Sequence, residues 1–262
     1  MSSGEPAPAV PTLTDLVRQQ DPRIPHLVLL KAGSASPPIF MTHGMGGDVL
    51  GILPLALGIR IASPIYGMQA RGIDGLEEPH DRIEDMAEYH LASIRQVQSH
   101  GPYFLIGYSL GGLVMLEIAR RLSGDGEKTA LLVMLDSYPH RSHLSFGQQA
   151  RLALRLAKRR ALSFIRTRLM SVELAAQAMQ RVSEYQDRAW LNYRPQFYDG
   201  KIKFVRAAVP SFVPDDPVDC WAHLARELKV ETVPGNHLEM LTTQVESLAS
   251  TVARYIEEAL GE

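Results

Sequence analysis

The stretch YFLIGYSLGGLVMLEIARRL, residues 103–122, decides the fold. It predicts a short buried strand over Tyr103–Gly107 and a helix over Gly111–Leu122, with Ser109 on the turn between them. The turn matches G-x-S-x-G, a pattern in which a strained strand-to-helix turn lifts a serine hydroxyl above a sheet edge. Glycines two residues either side remove side chains that would clash there. The five-letter pattern alone is weak, but this context predicts a nucleophilic serine rather than a plain turn with a capping serine.

Apolar runs of strand length alternate with amphipathic segments along the rest of the chain, which predicts a mostly parallel sheet with helices on both faces. Between Leu135 and Lys201 no strand signal occurs, which predicts a helical lid insertion over about residues 141–195. Together with the serine turn, this order predicts the α/β-hydrolase fold. Strands are predicted at His26–Lys31, Pro38–Thr42, Arg60–Met68, Thr129–Leu135, Lys201–Ala207 and Leu228–Val233, and the other helices at Asp81–Ser99, Ser145–Met170, Val172–Trp190 and Gln244–Leu260.

Composition narrows the class of protein. A chain of 262 residues with 45% apolar residues is long enough for one α/β domain. The net charge of −2 gives no general attraction to nucleic acid or to an anionic membrane, and no apolar run approaches the roughly 20 residues of a membrane span. The single cysteine, Cys220, fits a reducing compartment, so we expect a cytoplasmic protein. Residues 1–24 predict a flexible Pro-rich leader or linker, followed by a hydrolase domain over residues 25–262.

The general base is predicted from chain order. This fold places its histidine late in the sequence, after the nucleophile and the acid. His237 follows an apolar strand in the motif Gly235-Asn236-His237. His223 is the other late histidine, but it lies in the segment WAHLAREL, which we interpret as a helix. The sequence therefore favours His237.

The acid has two candidate positions. Asp136 directly follows the strand TALLVML, whereas Asp215 and Asp216 follow the next strand, the commoner position for this fold. Both sites face the same crevice, so the residues alone leave the choice open. The structural alternative for Asp136 is a carboxylate that caps the turn Ser137-Tyr138-Pro139, and for Asp215 and Asp216 it is a solvated turn before Pro217.

Two backbone N–H groups are predicted to form an oxyanion hole. One belongs to Leu110, the residue after the nucleophile, and the other to the early Gly-rich turn His43–Gly47. We expect Met45 to be this second donor, with Gly46 as the alternative. Phosphate binding is the other interpretation of this turn, but the turn lacks both G-x-G-x-x-G and the Lys-Ser/Thr of a P-loop. We expect His43 to be a structural hydrogen-bonding residue.

The motifs GYSLGG, LDSYP and GNHLEM resemble those of type I thioesterase domains of nonribosomal peptide and polyketide synthases. The resemblance runs from about residue 25 to the C-terminus. In that family the acid follows the strand after the elbow helix, which implies Asp136. One detail departs from the family pattern, because Asn236 stands where an Asp usually precedes the histidine.

The resemblance implies release of an acyl, peptidyl or polyketide chain from a carrier protein, by hydrolysis or cyclisation. Ser109 would attack the thioester, His237 would take its proton and Asp136 would orient the imidazole. No metal or other bound cofactor is implied, since the phosphopantetheine arm belongs to the partner carrier protein. Trp221 and Tyr108 are candidates for lining the substrate channel, with core packing the alternative for Trp221.

The predicted lid is strongly basic. Arg151, Arg155, Lys158 and Arg159 lie largely on one face of a predicted helix. This face could dock an acidic carrier protein, or it could be an ordinary solvated surface. Nucleic-acid binding is disfavoured, because no aromatic interleaving accompanies the charge.

Two other functions use the same fold. A free-standing esterase or lipase would have the same three catalytic residues and would act on small-molecule esters. A non-catalytic binding protein would have no physical need for a complete Ser, Asp and His set. The sequence therefore favours an enzyme.

Overall fold

The computed structural model of the chain describes residue 24 and residues 26–139, 174–210 and 216–261. Seven strands lie in these residues: β1 Leu27–Lys31, β2 Ile39–Thr42, β3 Ile65–Met68, β4 Tyr103–Tyr108, β5 Thr129–Leu135, β6 Tyr198–Val209 and β7 Ala225–Asn236. The α-helices are α1 Leu53–Gly58, α2 Ile83–Val97, α3 Leu110–Gly124, α4 Leu174–Asn192, α5 Pro217–Trp221 and α6 Val245–Leu260, with short 3-10 turns at Leu50–Ile52 and Glu239–Leu241. The predicted helix Ser145–Met170 and nearly all of the predicted leader lie outside the described residues.

The strands form one sheet in the order β1-β3-β2-β4-β5-β6-β7. β1 runs antiparallel to β3, and every other neighbouring pair is parallel. The carboxyl ends of β2 to β7 therefore lie along one edge of the sheet. In an open parallel sheet this is the edge along which ligands bind.

Two apolar layers cover the faces of this sheet. Buried residues of α2 and α3 pack on one face, and those of α1 and α6 pack on the other. β4 is buried on both faces over its whole length, as expected for a central parallel strand. This central position fixes the carboxyl end of β4, and with it Ser109.

Most of the described strands and helices lie where the sequence predicts them. Two segments differ from the prediction. The strand predicted over Arg60–Met68 begins only at Ile65, because Pro64 has no N–H to give to a ladder. The helix predicted around His223 is wrong, since α5 ends at Trp221 and β7 begins at Ala225.

Cross-strand charge pairs explain this second correction. Arg226 Nε donates to Asp199 Oδ1 of β6 at 2.6 Å. Lys201 Nζ lies 3.4 Å from Glu227 Oε2 on the facing strand. Such cross-strand pairs stabilise the pairing of β6 with β7. The local sequence pattern, which resembles that of a helix, does not indicate them.

Among the described residues, no helix combines the length and the apolar character that crossing a membrane requires.

Candidate active site

Ser109 sits directly after β4 in a strained backbone conformation, with φ 54° and ψ −120°. Its N–H donates to the carbonyl oxygen of Leu135 at 2.8 Å, which fixes the turn to the end of β5. A Cβ atom on Gly107 or Gly111 would lie less than 3.0 Å from backbone atoms, those of Gly111 and His43 respectively. The two glycines of the motif therefore permit close approach of the backbone around the serine turn.

Asp136 repeats this geometry on the neighbouring strand. Its φ is 47°, and among the described non-glycine residues only Ser109 also has a positive φ. Its N–H donates to the carbonyl oxygen of Val205 at 2.7 Å, just beyond the end of β5. A strained backbone conformation is kept only where the surrounding contacts hold the residue in place, and such conformations are common at functional sites. Two strained residues thus lie side by side at the carboxyl edge of the sheet.

The Asp136 carboxylate contacts the His237 imidazole. Asp136 Oδ2 lies 2.7 Å from His237 Nδ1, although 101 positions separate the two residues in the chain. Because a carboxylate accepts hydrogen bonds, the contact assigns the proton of this bond to Nδ1, which makes Nε2 the nitrogen that can act as a base. Asp136 Oδ1 accepts from the N–H of Ala207 at 3.2 Å and from the Tyr138 hydroxyl at 3.4 Å. The aspartate is therefore buried, hydrogen-bonded and aimed at the histidine.

Asp216 has a different setting. Its exposed carboxylate accepts from the N–H of Val218 at 2.8 Å and so caps helix α5. Asp215 lies outside the described residues. Of the predicted acids, the structure brings Asp136 to His237.

Tyr108 links the serine turn to the His237 loop. Its hydroxyl donates to the carbonyl oxygen of His237 at 2.6 Å. Its ring also stacks on the imidazole, with centroids 4.7 Å apart and planes 22° apart. Burial raises the pKa of the Tyr108 phenol well above its usual range, so the hydroxyl is a donor at neutral pH. Since Tyr108 immediately precedes Ser109, this contact draws His237 to the serine end of β4.

A reciprocal cap holds the turn that carries His237. Asn236 Oδ1 accepts from the N–H groups of Leu238 and Glu239, at 3.0 and 3.1 Å. Glu239 Oε2 in turn accepts from the N–H of Asn236 at 2.9 Å. An Asp at position 236 could accept the same two bonds, which explains why Asn236 is compatible with this turn.

The Gly-rich turn lies against the serine. A Cβ on Gly44 would lie 3.3 Å from Ser109 Cβ and against the Tyr108 ring. Leu110 is the first residue of α3, so its N–H has no acceptor within the helix. Gly46, the alternative oxyanion donor, instead donates its N–H to Gln186 Oε1 at 2.8 Å. The described protein atoms offer no acceptor to the N–H of Met45.

Comparison with known protein families identifies the family of the chain. A family model described as "Thioesterase domain" matches residues 37–256. This chain belongs to the thioesterase domain family. It is a hydrolase.

The curated relatives of the thioesterase are much longer proteins. A dimodular nonribosomal peptide synthase from Bacillus subtilis (strain 168) is 44% identical over 114 residues, which are 44% of this chain and 5% of that protein. Nonribosomal peptide synthetase pngA from Aspergillus terreus is 36% identical over 137 residues, covering 50% of this chain and 14% of the relative. The thioesterase therefore spans only a small part of the length of these relatives.

Solved structures show the same fold. The NocB thioesterase domain, in covalent complex with a fluorophosphonate nocardicin G analog, gives a TM-score of 0.68 at 19% identity, covering 85% of this chain and 95% of that one. A four-domain nonribosomal peptide synthetase, holo-AB3403, gives 0.71 at 20% identity, covering 87% of this chain and 20% of that one. These likenesses confirm the predicted α/β-hydrolase fold of the thioesterase.

Trp221 lies in the core of the thioesterase, which is the alternative that the sequence left open. Its side chain is fully buried, and its indole N–H donates to the carbonyl oxygen of Ser137 at 3.0 Å. Trp190 of α4 reaches the next carbonyl, that of Tyr138, at 3.4 Å. Both tryptophans thus hold the segment that follows Asp136. Sequence reasoning missed this supporting role.

Two buried histidines, His43 of the Gly-rich turn and His90 of helix α2, lie close together. His43 Nδ1 lies 2.7 Å from the carbonyl oxygen of Gly44, which agrees with its expected structural role. Burial lowers the pKa of His43 and lowers that of His90 strongly. Their ring centroids are 6.3 Å apart. Both imidazoles are therefore neutral near pH 7.

The basic surface predicted for carrier docking, at Arg151, Arg155, Lys158 and Arg159, lies outside the described residues. Only α4 is described within the predicted lid range. The role of this basic surface stays a prediction.

Proposed function

We propose that Ser109, His237 and Asp136 form a catalytic triad that cleaves an acyl thioester through an acyl-serine intermediate. The observation that carries this proposal is the 2.7 Å contact between the Asp136 carboxylate and His237 Nδ1 at the carboxyl edge of the sheet. This contact leaves the lone pair of His237 Nε2 available for the Ser109 hydroxyl proton.

In the first half-reaction, His237 Nε2 takes the proton as Ser109 Oγ attacks the thioester carbonyl. The N–H groups of Met45 and Leu110 stabilise the negative oxygen of the tetrahedral intermediate. The carbon–sulfur bond then breaks, the imidazolium gives its proton to the departing thiolate, and an acyl-serine ester remains. Asp136 stabilises the imidazolium without taking its proton.

In the second half-reaction, a nucleophile attacks the acyl-serine ester. His237 accepts the proton of a water molecule, or of a hydroxyl or amine on the acyl chain itself, and then returns a proton to Ser109 Oγ. Water gives the free acid, and an internal nucleophile gives a macrocycle. These steps need no metal or redox group.

The substrate is an acyl, peptidyl or polyketide chain on the phosphopantetheine arm of a carrier protein. The relatives support this, because they are synthases and synthetases of peptides and polyketides. The basic face at Arg151, Arg155, Lys158 and Arg159 would dock the acidic carrier. A cytoplasmic location remains our prediction from the single cysteine, Cys220, which is buried.

A fluorophosphonate probe tests the nucleophile. We expect the probe to label the wild-type chain at Ser109 and to leave Ser109→Ala unlabelled, as read by intact mass. Ser123→Ala is a matched control, since Ser123 lies in an exposed position on helix α3, which follows Ser109. Equal labelling of wild type and Ser109→Ala would refute the assignment.

A second experiment separates the thioesterase from an esterase or lipase. We expect kcat/KM for an acyl-phosphopantetheinyl carrier protein to exceed that for the oxygen ester of the same acyl group by orders of magnitude. Comparable values would favour the small-molecule esterase.

A further inference from the structure

Gln186 connects helix α4 to the Gly-rich turn His43–Gly47. Its side chain is buried, with 1% of its surface exposed. Its Oε1 accepts the N–H of Gly46 at 2.8 Å, although the two residues are 140 positions apart. A buried amide that reaches a backbone N–H of a turn beside Ser109 can determine how that turn is oriented.

The turn needs such a contact because its backbone is intrinsically free to move. Gly46 and Gly47 have φ angles of 109° and 87°, in a region that glycine adopts readily and that other residues avoid. Two consecutive glycines can rearrange at low cost, so hydrogen bonds from outside the turn must select one conformation. The carbonyl oxygen of Gly47 accepts from Ala70 N at 2.9 Å, and the N–H of Gly46 donates to Gln186.

Helix α4 also packs on the turn sterically. A Cβ on Gly47 would lie 2.6 Å from Val182 Cγ1 and 2.7 Å from Ala70 Cβ. Val182 and Gln186 are one helical turn apart and are both buried, so they present one face of α4 to the glycines. Val182 packs against Gly47, and Gln186 accepts the hydrogen bond from the Gly46 N–H.

We propose that Gln186 is a positioning residue for the oxyanion hole, a step that rests on the proposed function. By accepting the Gly46 N–H, Gln186 fixes the peptide unit between Met45 and Gly46, which adjoins the unit that carries the Met45 N–H. The Met45 N–H then remains for the oxyanion, together with the N–H of Leu110. In this arrangement Gly46 is no oxyanion donor. Helix α4 thus contributes to catalysis without touching the substrate.

Isosteric substitutions test the acceptor. Gln186→Met keeps the length of the side chain and removes the acceptor, so we expect kcat to fall roughly tenfold to a hundredfold, somewhat less than for loss of an oxyanion donor. KM for an acyl-N-acetylcysteamine thioester should change little. Gln186→Glu keeps a carbonyl-type acceptor and should retain kcat within about threefold of the wild type. Gln180→Met is the matched control, because Gln180 is exposed on the same helix.

Kinetics alone can overturn the proposal in two ways. A folded Gln186→Met variant with wild-type kcat would exclude any positioning role. Equal loss in Gln186→Met and Gln186→Glu, with both variants folded, would show that packing rather than the acceptor matters.

Hydrogen exchange supplies a second readout, which needs no turnover. We expect the Gly46 amide to exchange at least tenfold more slowly than the Met45 amide, and Gln186→Met to remove this protection. Equal exchange at the two amides would overturn the proposal. Absence of fluorophosphonate labelling at Ser109 would instead refute the proposed function, so the two failures are distinguishable.

Discussion

Asp136 and Asp216 differ in what their carboxylates contact. Asp136 is buried against His237, whereas Asp216 is exposed and caps a short helix. An acid that fixes the tautomer of the base must lie in the first setting. At the scale of single residues, the same substitution at Asp136 and at Asp216 therefore tests which of these two residues is the acid.

We expect Asp136→Asn to lower kcat by about three to four orders of magnitude, because an amide at this position favours the wrong tautomer of His237. Asp216→Asn should retain nearly full kcat, since an Asn side chain also caps a helix. Both rates would be measured on one acyl thioester, with circular dichroism to check folding. The reverse ranking would move the acid to the segment after β6.

Tyr108 offers a second test at this scale. We expect Tyr108→Phe to reduce kcat roughly threefold to tenfold, the equivalent of one hydrogen bond of about 1 kcal/mol, because the stacked ring stays while the bond to the His237 carbonyl is lost. Tyr185→Phe is a suitable control, since the Tyr185 hydroxyl bonds to Glu78 at an exposed position. A change confined to KM for long-chain thioesters would support the original prediction that Tyr108 lines the substrate channel.

At the scale of elements, the third glycine of GYSLGG joins the elbow helix to the Asp136 segment. A Cβ on Gly112 would lie 2.5 Å from Ser137 Cβ and even closer to its hydroxyl. Ser137 is fully buried, and its own carbonyl oxygen accepts the indole N–H of Trp221, so it has little room to move. Helix α3 and the segment after β5 can therefore meet only because Gly112 has no side chain.

Replacement of Gly112 by alanine should displace the Asp136 segment. We expect Gly112→Ala to lower the free energy of unfolding by about 1 to 3 kcal/mol, as for overpacking of a core, and to lower kcat as well. Gly124→Ala on the same helix is the control, because no atom lies within 4 Å of its added Cβ. Urea unfolding and thioester kinetics would measure both effects. Wild-type stability of Gly112→Ala would show that the helix and the segment can separate without cost.

The sequence predicts those features of the fold and the site that contiguous residues encode. Ser109 follows from a strand, a turn and a helix that are contiguous in the chain. Asp136 required the family resemblance, because the ends of β5 and β6 meet at the same edge and either could carry the acid. The contacts of Gln186 with Gly46 and of Tyr108 with His237 join residues more than a hundred positions apart. No periodicity records such pairs, since only the packed sheet and helices bring them together.

At the scale of the whole molecule, buried histidines make stability depend on pH. Burial lowers the pKa values of His26, His43, His80 and His90, and His43 and His90 are the most deeply buried. Glu77 raises the pKa of His26, the hydrogen bond to Gly44 and the Asp48 charge raise that of His43, and Asp85 and Glu77 raise that of His80, but desolvation is the largest effect at each. These histidines stay neutral in the folded chain at pH values where they are protonated in the unfolded chain.

The sign of the effect follows from proton uptake. Above the unfolded pKa of about 6.5, neither state binds a proton at these groups, and stability is independent of their titration. As the pH falls below that value, these histidines become protonated in the unfolded chain but stay neutral in the folded chain. The free energy of unfolding therefore decreases. Each histidine that remains neutral contributes a loss that approaches about 1.4 kcal/mol per pH unit, until the pH reaches its folded pKa.

We therefore expect the thioesterase to be less stable at pH 5.5 than at pH 7.5, with His43 and His90 together lowering the free energy of unfolding by at most about 3 kcal/mol. Urea unfolding at both pH values would measure this difference. His90→Gln should reduce the difference by about 1 kcal/mol, because glutamine does not titrate. An unaltered pH dependence in His90→Gln would mean that His90 binds a proton as readily in the folded chain as in the unfolded one.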